Sequence, residues 1–375
     1  MKMFGHEDSL SDLGKRARLS EKLDVIHRAV RERFPCVDRI AVALYDPKTD
    51  WLKTFLASSG DGRVLSHYEA PLSEAASLRE LAARGRPRLV DDLDVFAASS
   101  QEHTRRILSH GYGSSYTLPM LVNGAFSGVV FFDSCQKHAF TELVLGELDF
   151  AAHLIIEVVM MDLAAARSLA AAVRTAAAFA HLRDLETGVH LDRVANYARL
   201  IARSLAGSMN IDDEWVEHIF LFASLHDLGK IGIPDRVLLK TGKLTDEEAR
   251  AMRLHTLKGQ DVIGVMLRNF GLEHMPYAEM LGNIAQYHHE AVDGSGYPEG
   301  LKGDAIPLEA RITAVADVFD ALASRRSYKE PWSNDAAFSW LREHSGTRFD
   351  PRCVAALIAN RARIEEIQRR FAEGP

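Results

Sequence analysis

Five histidines and three carboxylates in the second half of the chain are residue types that bind divalent metal ions: Glu186, His190, His226, Asp227, His255, His288, His289 and Asp317. Glu186 and His190 stand four apart, so on a helix both side chains leave the same face. His226-Asp227 closes the apolar run Ile219, Phe220, Leu221, Phe222, Leu225, which predicts a buried pair. A buried Asp beside a buried His is costly unless it is paired or metal-bound. Asp317 lies in the largely apolar helical stretch Ile312 to Leu322 and poses the same problem. Singly, each has an ordinary explanation: a Glu–His pair on a solvated helix, a capping Asp, a core His bonded to a carbonyl. Together, with almost no cysteine, they suit Fe, Mn or another borderline-to-hard divalent ion better than a structural zinc cage. The chemistry implied is a hydrolytic multi-metal centre, in which two ions hold a bridging hydroxide and neutralise charge on a phosphoryl group.

Other residues nearby have readable roles. Lys230 follows Gly229, which lets backbone pack closely, and its ammonium could stabilise phosphate oxygens beside the metals. The alternative is a surface lysine drawn to a helix C-terminus. Gly294, Gly296 and Pro298 give the backbone around Tyr297 unusual freedom, so its ring can be presented to a ligand, although a plain turn tyrosine fits as well. Arg326 and Lys329 lie three apart on one helical face and could bind a non-scissile phosphate, unless they form a solvated basic face.

The elements that must position these residues read as almost entirely helical from about Ala180 to Pro375. From Ser20 to about Val159 the pattern is mixed. A helix with Leu23, Ile26 and Val30 on one face precedes β-rich runs at Arg39 to Tyr45, Trp51 to Ala57, Arg88 to Val90, Tyr116 to Val122 and Ser127 to Phe132. The last two bracket Asn123-Gly124, which tolerates the positive φ of a tight hairpin turn. A long helix follows from about Glu142. The order predicts an α+β chain: an antiparallel sheet with helices packed on it, a connecting helix, and an all-α domain. The domain boundaries read as 1–159, 160–180 and 181–375. In the connection, Leu154, Val158, Met161, Ala165, Leu169, Ala172, Ala176 and Phe179 recur at steps of three and four as one apolar stripe. Such a stripe either packs on its own domain or pairs two copies in parallel. The small alanines, which allow close approach, favour a homodimer that carries a signal along this helix.

Two resemblances follow from these residues. The first part is similar to a GAF domain, a small-molecule sensor module, through Ser115, Leu118-Pro119, Ser127-Gly128-Val129, Phe140 and the following helix. This implies a small ligand of unknown identity; His67, His103, His110 and Cys135 have side chains able to touch one, but each alone reads as structural or exposed. The second part resembles an HD-GYP domain over roughly 170 residues. The resemblance is carried by Glu186-Thr187-Gly188-Val189-His190, His226-Asp227-Leu228-Gly229-Lys230-Ile231, His255, His288-His289-Glu290, Asp293-Gly294-Ser295-Gly296-Tyr297-Pro298 and Asp317-Val318-Phe319-Asp320-Ala321-Leu322, then Arg326, Tyr328, Lys329 and Phe349-Asp350-Pro351. It implies a phosphodiesterase that linearises cyclic di-GMP, a bacterial second messenger, to pGpG and on to GMP. It further implies that His190, His226, Asp227 and Asp317 surround one ion, that His255, His288 and His289 hold another with Asp227 bridging, and that Glu186 recruits a third. His226, Asp227 and Lys230 would be catalytic, and Tyr297, Asp320, Arg326 and Lys329 would bind substrate, Tyr297 by stacking on guanine or lining the pocket. Ser327 stands where a Pro is usual and Ala291-Val292 where a basic residue and an aromatic are; neither is a ligand position, but both bear on pocket shape and on the choice among cyclic dinucleotides.

Composition agrees with such a chain and excludes much else. It has 375 residues, 47% hydrophobic and 26% charged, enough for two or three domains with real cores. A net charge of −7 gives no general attraction to nucleic acid or anionic lipid, so neither DNA nor membrane is an expected partner. Cys36, Cys135 and Cys353 show neither disulfide nor metal-ligand spacing, which points to a reducing compartment, the cytoplasm. The most apolar stretch, Ala151 to Ala180, is broken by Glu157, Asp162, Arg167 and Arg174, each costly in a bilayer. A rival of another class is a non-catalytic receptor for the cyclic dinucleotide, acting through the loop around Tyr297; an HD hydrolase of mononucleotides is disfavoured by His288-His289 and the Gly-Tyr-Pro loop.

Overall fold

The computed structural model describes residues 8–15, 17–60, 66–96, 109–181, 188–324 and 330–372, without the side chains of 173, 174 and 176–181. The chain divides into two units, Met1–Leu163 with Asp212–Glu214, and Ala164–Ile211 with Trp215–Pro375.

The first unit holds strands β1 (Arg39–Asp46), β2 (Trp51–Ser59), β3 (Glu69–Pro71), β4 (Arg88–Val90), β5 (Ser114–Val122) and β6 (Ala125–Ser134), and helices α1 (Leu19–Arg33) and α2 (Ala76–Arg84). Helix α3 (Glu142–His181) starts here. The strands form one antiparallel sheet in the order β3-β2-β1-β6-β5-β4. Alternation along β1 and β6 gives the sheet two faces to bury. Ile40, Val42, Leu44, Val130 and Phe132 join Leu19, Leu23 and Ile26 of α1 and Leu148, Ala152, Ile155 and Val159 of α3 in one core. Ala41, Ala43, Val129 and Phe131 turn the other way, onto Leu78 and Leu81 of α2. Each large side chain so buried contributes about 1.5–3 kcal/mol. At the β5–β6 hairpin Asn123 and Gly124 both have positive φ, 51° and 79°, and Val122 pairs with Ala125, the two-residue turn that this dipeptide predicts. The runs read from the sequence account for five of the six strands. The sixth, β3, has three residues ending in Pro71 at the sheet's edge, too few to show a period.

The apolar stripe of α3 does not form one open seam. Leu154 and Val158 are partly buried against the first core, and Leu169 is wholly buried in the second, beside Ala166 and Ala170, whereas Met161 is 70% exposed. The side chains of Ala176 and Phe179 lie outside the described residues. No described helix is long and apolar enough to cross a membrane.

The second unit is built from α4 (Gly188–Met209), α5 (Asp213–Phe222), α6 (Asp235–Leu238), α7 (Asp246–Arg253), α8 (His255–Phe270), α9 (Ala278–Tyr287), α10 (Leu308–Ala323), α11 (Asn334–Glu343), α12 (Pro351–Ala359) and α13 (Arg361–Arg370). Helix α4 lies largely inside, burying polar His190, Arg193, Asn196 and Arg199 as well as its apolar residues. Its Val194, Tyr197, Ala198 and Ile201 share a core with Phe222, Ile284, Ile312, Val315, Phe319 and Leu357. Tyr197 and Phe319 meet edge to face with ring centroids 5.1 Å apart, which ties α4 to α10. Those two helices carry two of the candidate metal ligands, His190 and Asp317.

Candidate metal centre

Helix α5 tightens into a 3-10 turn at Ala223–Leu225, which delivers His226, fully buried, and Asp227; a second such turn follows at Leu228–Gly232. Gly229 sets how close this segment comes to α8. A Cβ on Gly229 would stand 1.8 Å from the His255 carbonyl oxygen and 2.4 Å from the Gly259 nitrogen, so only glycine fits. Thr245 and Glu248 cap α7 reciprocally, and one residue after α7 ends His255 opens α8. Helix α9 ends at Tyr287 and is followed by His288 and His289. His190 comes from α4 and Asp317 from α10.

The rings are oriented from behind. Nδ1 of His226, His255 and His288 lies 2.8–2.9 Å from the carbonyl oxygens of Ala223, Met252 and Ile284 respectively. A carbonyl only accepts, so each Nδ1 carries the hydrogen and each Nε2 presents a lone pair. These Nε2 atoms converge on carboxylate oxygens. His255 and His288 Nε2 stand 3.2 and 3.6 Å from Asp227 Oδ1, and His226 Nε2 stands 3.4 Å from Asp227 Oδ2 and 3.6 Å from Asp317 Oδ1. His190 Nε2 is 3.7 Å from the same Asp317 oxygen. Such separations are long for hydrogen bonds, and His255 Nε2, His288 Nε2 and Asp227 Oδ1 are buried with no hydrogen-bond partner. They match the ligand-to-ligand edge of a coordination sphere with bonds of about 2.1 Å, roughly 3–3.5 Å. Two groups could each hold an ion: Asp227, His255, His288 and His289, and His190, His226 and Asp317, with donor atoms within 4.8 Å of one another. Nitrogen and oxygen donors without thiolate fit the borderline-to-hard divalent ion expected from the sequence.

Electrostatics favour the ligating forms. Burial pushes the Asp227 carboxyl up, but the Lys230 ammonium, with Nζ 2.8 Å from Oδ2, leads the influences that outweigh it and hold the group well below the usual carboxylate range. Burial pulls the His288 imidazole below its ordinary value, and burial together with His288 pulls His289 further down, so both are neutral and able to ligate.

The structure thus brings His190, His226, Asp227, His255, His288, His289 and Asp317 together, with Lys230 on Asp227. Glu186, Arg326 and Lys329 lie outside the described residues. Tyr297 stacks on His289 with centroids 4.8 Å apart, and the Arg253 guanidinium lies 5.1 Å from its ring centre. Gly296 is needed beside it, because a Cβ there would come within 2.2 Å of the Ala291 nitrogen. Asp320 is corrected. Expected to bind substrate, it is buried, and its oxygens are taken by His190 Nδ1 at 2.7 Å and by Arg193 Nε at 2.7 Å and Nη2 at 3.0 Å. It faces the back of a candidate ligand instead of a bound molecule. Sequence reasoning missed Arg193, whose only signal is a charge three residues after His190 on the same helical face. It also gave no role to Glu290, whose buried carboxylate accepts from the backbone N–H groups of Glu299, Gly300 and Leu301 and so fixes the turn after Tyr297.

The segment that carries these residues is similar in sequence to known proteins. A family model described as "HD domain" matches residues 159–353. Among curated relatives, the cyclic di-GMP phosphodiesterase response regulator RpfG of Xanthomonas campestris is 47% identical over 190 residues, 51% of this chain and 47% of that protein. A cyclic di-GMP phosphodiesterase of Thermotoga maritima is 41% identical over 188 residues, 50% of this chain and 48% of its own length. A 3'3'-cGAMP-specific phosphodiesterase of Vibrio cholerae is 39% identical over 176 residues, 47% of this chain and 32% of that protein. The chain spans about half the length, or less, of these relatives. Among solved structures, the GAF domain of an Acinetobacter phosphoenolpyruvate-protein phosphotransferase is 18% identical with a TM-score of 0.32, covering 42% of this chain and 90% of that domain. With more than half its length matched by that family model, over the segment that holds both donor groups, the chain belongs to the HD domain family.

Proposed function

We propose that this protein is a metal-dependent cyclic di-GMP phosphodiesterase, yielding pGpG and then GMP, with the first unit a GAF-type sensor for a small ligand. The observation that carries the reading is Asp227, whose two oxygens face different donor sets. His190, His226 and Asp317 would hold one ion and His255, His288 and His289 a second, Asp227 lying between them, with Glu186 a candidate ligand for a third. Iron or manganese suits these donors. Bound divalent ions lower the pKa of water and offset phosphoryl charge. The chain's own groups do the rest. Lys230 holds the Asp227 carboxylate and faces the place where phosphate charge would gather, Tyr297 lines the pocket, and Arg326 with Lys329 binds the second phosphate. The relatives' names support cyclic di-GMP first and cyclic GMP–AMP second. Pairing of two copies along α3, and a reducing cytoplasmic setting suggested by the wide sequence spacing of Cys36, Cys135 and Cys353, complete the proposal.

The test is nucleotide chromatography of protein purified anaerobically and supplied with Fe(II) or Mn(II). Cyclic di-GMP should be consumed and pGpG or GMP appear, while His226→Ala with Asp227→Ala abolishes turnover and keeps the helical far-UV signal. Undiminished hydrolysis by that double variant refutes the assignment. Tight binding without product would favour the receptor reading.

A further inference from the structure

We propose that Arg193 is a positioning residue that makes the two halves of the metal centre unequal, setting the metal affinity of the half containing His190 through Asp320. The inference rests on the metal reading above. It starts from two matched faces: His190 and Arg193 are three apart on α4, and Asp317 and Asp320 three apart on α10. The His190 ring lies between the two aspartates, Nε2 facing Asp317 at 3.7 Å and Nδ1 bonded to Asp320 Oδ2 at 2.7 Å. Arg193 grips Asp320 with two donors and sends a third, Nη1, to the Phe371 carbonyl at 3.1 Å, just past the end of α13. His190, Arg193 and Asp320 are 5%, 4% and 1% exposed, so water cannot replace any of these partners.

His190 differs from the other rings. His226, His255 and His288 each give Nδ1 to the carbonyl of their own preceding turn, a neutral acceptor fixed by the helix. His190 gives Nδ1 to an ionised side chain carried by another helix. A carboxylate behind an imidazole makes it a stronger ligand and fixes its tautomer, and losing such a partner typically weakens metal binding about 10–100-fold. That carboxylate stays in place only because the Arg193 fork compensates its charge inside the core and fixes its plane. Removing the fork leaves one Asp320 oxygen unsatisfied and lets the group turn away from Nδ1. The rings backed by carbonyls are indifferent to this change.

The test is a Mn(II) titration of the metal-free, full-length protein, followed by the electron paramagnetic resonance signal of free ion. It reads metal alone and stands whatever nucleotide the protein hydrolyses. Arg193→Gln should weaken one ion about 10–100-fold and leave another within twofold of wild type, and Arg193→Lys, which keeps the charge but loses the fork, should fall between. Adding Arg193→Gln to His190→Ala should produce no further loss, as expected if the arginine acts only through that ring. Unchanged affinities overturn the proposal, and so does an equal loss at all ions, which would assign Arg193 to the fold. Should Arg193→Gln lose its helical signal, Arg193→Lys alone decides on the same criterion of selective against uniform weakening.

Discussion

Replacing Gly229 by Ala puts the geometry of the centre under direct test. The added Cβ would lie 1.8 Å from the His255 carbonyl oxygen and 2.4 Å from the Gly259 nitrogen, both backbone atoms that cannot rotate away. Restoring ordinary van der Waals separation requires the Leu228–Gly232 turn and α8 to part by about 1.5 Å. Overpacking of this kind costs roughly 1–3 kcal/mol, which the second unit should survive with a lowered melting temperature. The larger effect falls on the site. Asp227 is two residues upstream on the displaced segment, and its 3.2 Å approach to His255 Nε2 would open by a comparable amount. Misplacing catalytic groups by about 1 Å costs on the order of 100-fold in rate. Hydrolysis of cyclic di-GMP at saturating Mn(II) should therefore fall about 100-fold while the far-UV helical signal persists. Gly259→Ala is the internal control: its Cβ would meet the Ala285 Cβ at 3.3 Å and the Gly229 nitrogen at 3.4 Å, contacts that small shifts absorb, and a few-fold loss is expected. A Gly229→Ala protein within threefold of wild type, or a Gly259→Ala protein equally impaired, would show that this backbone contact does not set the ligand spacing.

Two other predictions concern groups outside the ligand set. Glu290→Gln leaves one acceptor oxygen for three N–H donors, at a cost of about 1–3 kcal/mol, and should speed amide exchange at Glu299, Gly300 and Leu301; protection equal to wild type would refute the anchoring role. His27 of α1 is buried between Ser58 Oγ at 2.8 Å and the Val37 carbonyl at 3.2 Å, and burial lowers its pKa below the ordinary 6.5. Below pH 6.5 the unfolded chain then binds more protons at this site than the folded one. Stability of the first unit should be full above that pH and fall beneath it, by at most about 1.4 kcal/mol per pH unit. Urea melts at pH 7.5 and 5.5 measure the effect, and a His27→Gln protein with the same pH dependence would assign it elsewhere.

Local signals carried most of what the sequence revealed. The β1 and β6 runs alternate because each strand feeds two cores, and Asn123-Gly124 marks its turn by backbone preference alone. The candidate ligands stood out because charges at Asp227 and Asp317 interrupt apolar runs that have to be buried. What failed was pairing between distant segments. Nothing local says that Asp320 is consumed by Arg193, 127 positions away, so its place in the Asp317–Leu322 motif suggested contact with substrate. The α3 stripe was legible only in part for a related reason. A period of three and four marks an apolar face but not what covers it, and Leu169 turned out to be covered by its own unit.

The two-faced burial of β1 has a consequence for folding fidelity. A slip by one residue against β6 would turn Ile40, Val42 and Leu44 toward α2 and Ala41 and Ala43 toward α1 and α3, overfilling one side while hollowing out the other. Both errors penalise the same misalignment, so the central strand pairing is checked twice, and misregistered chains have no compact state in which to linger.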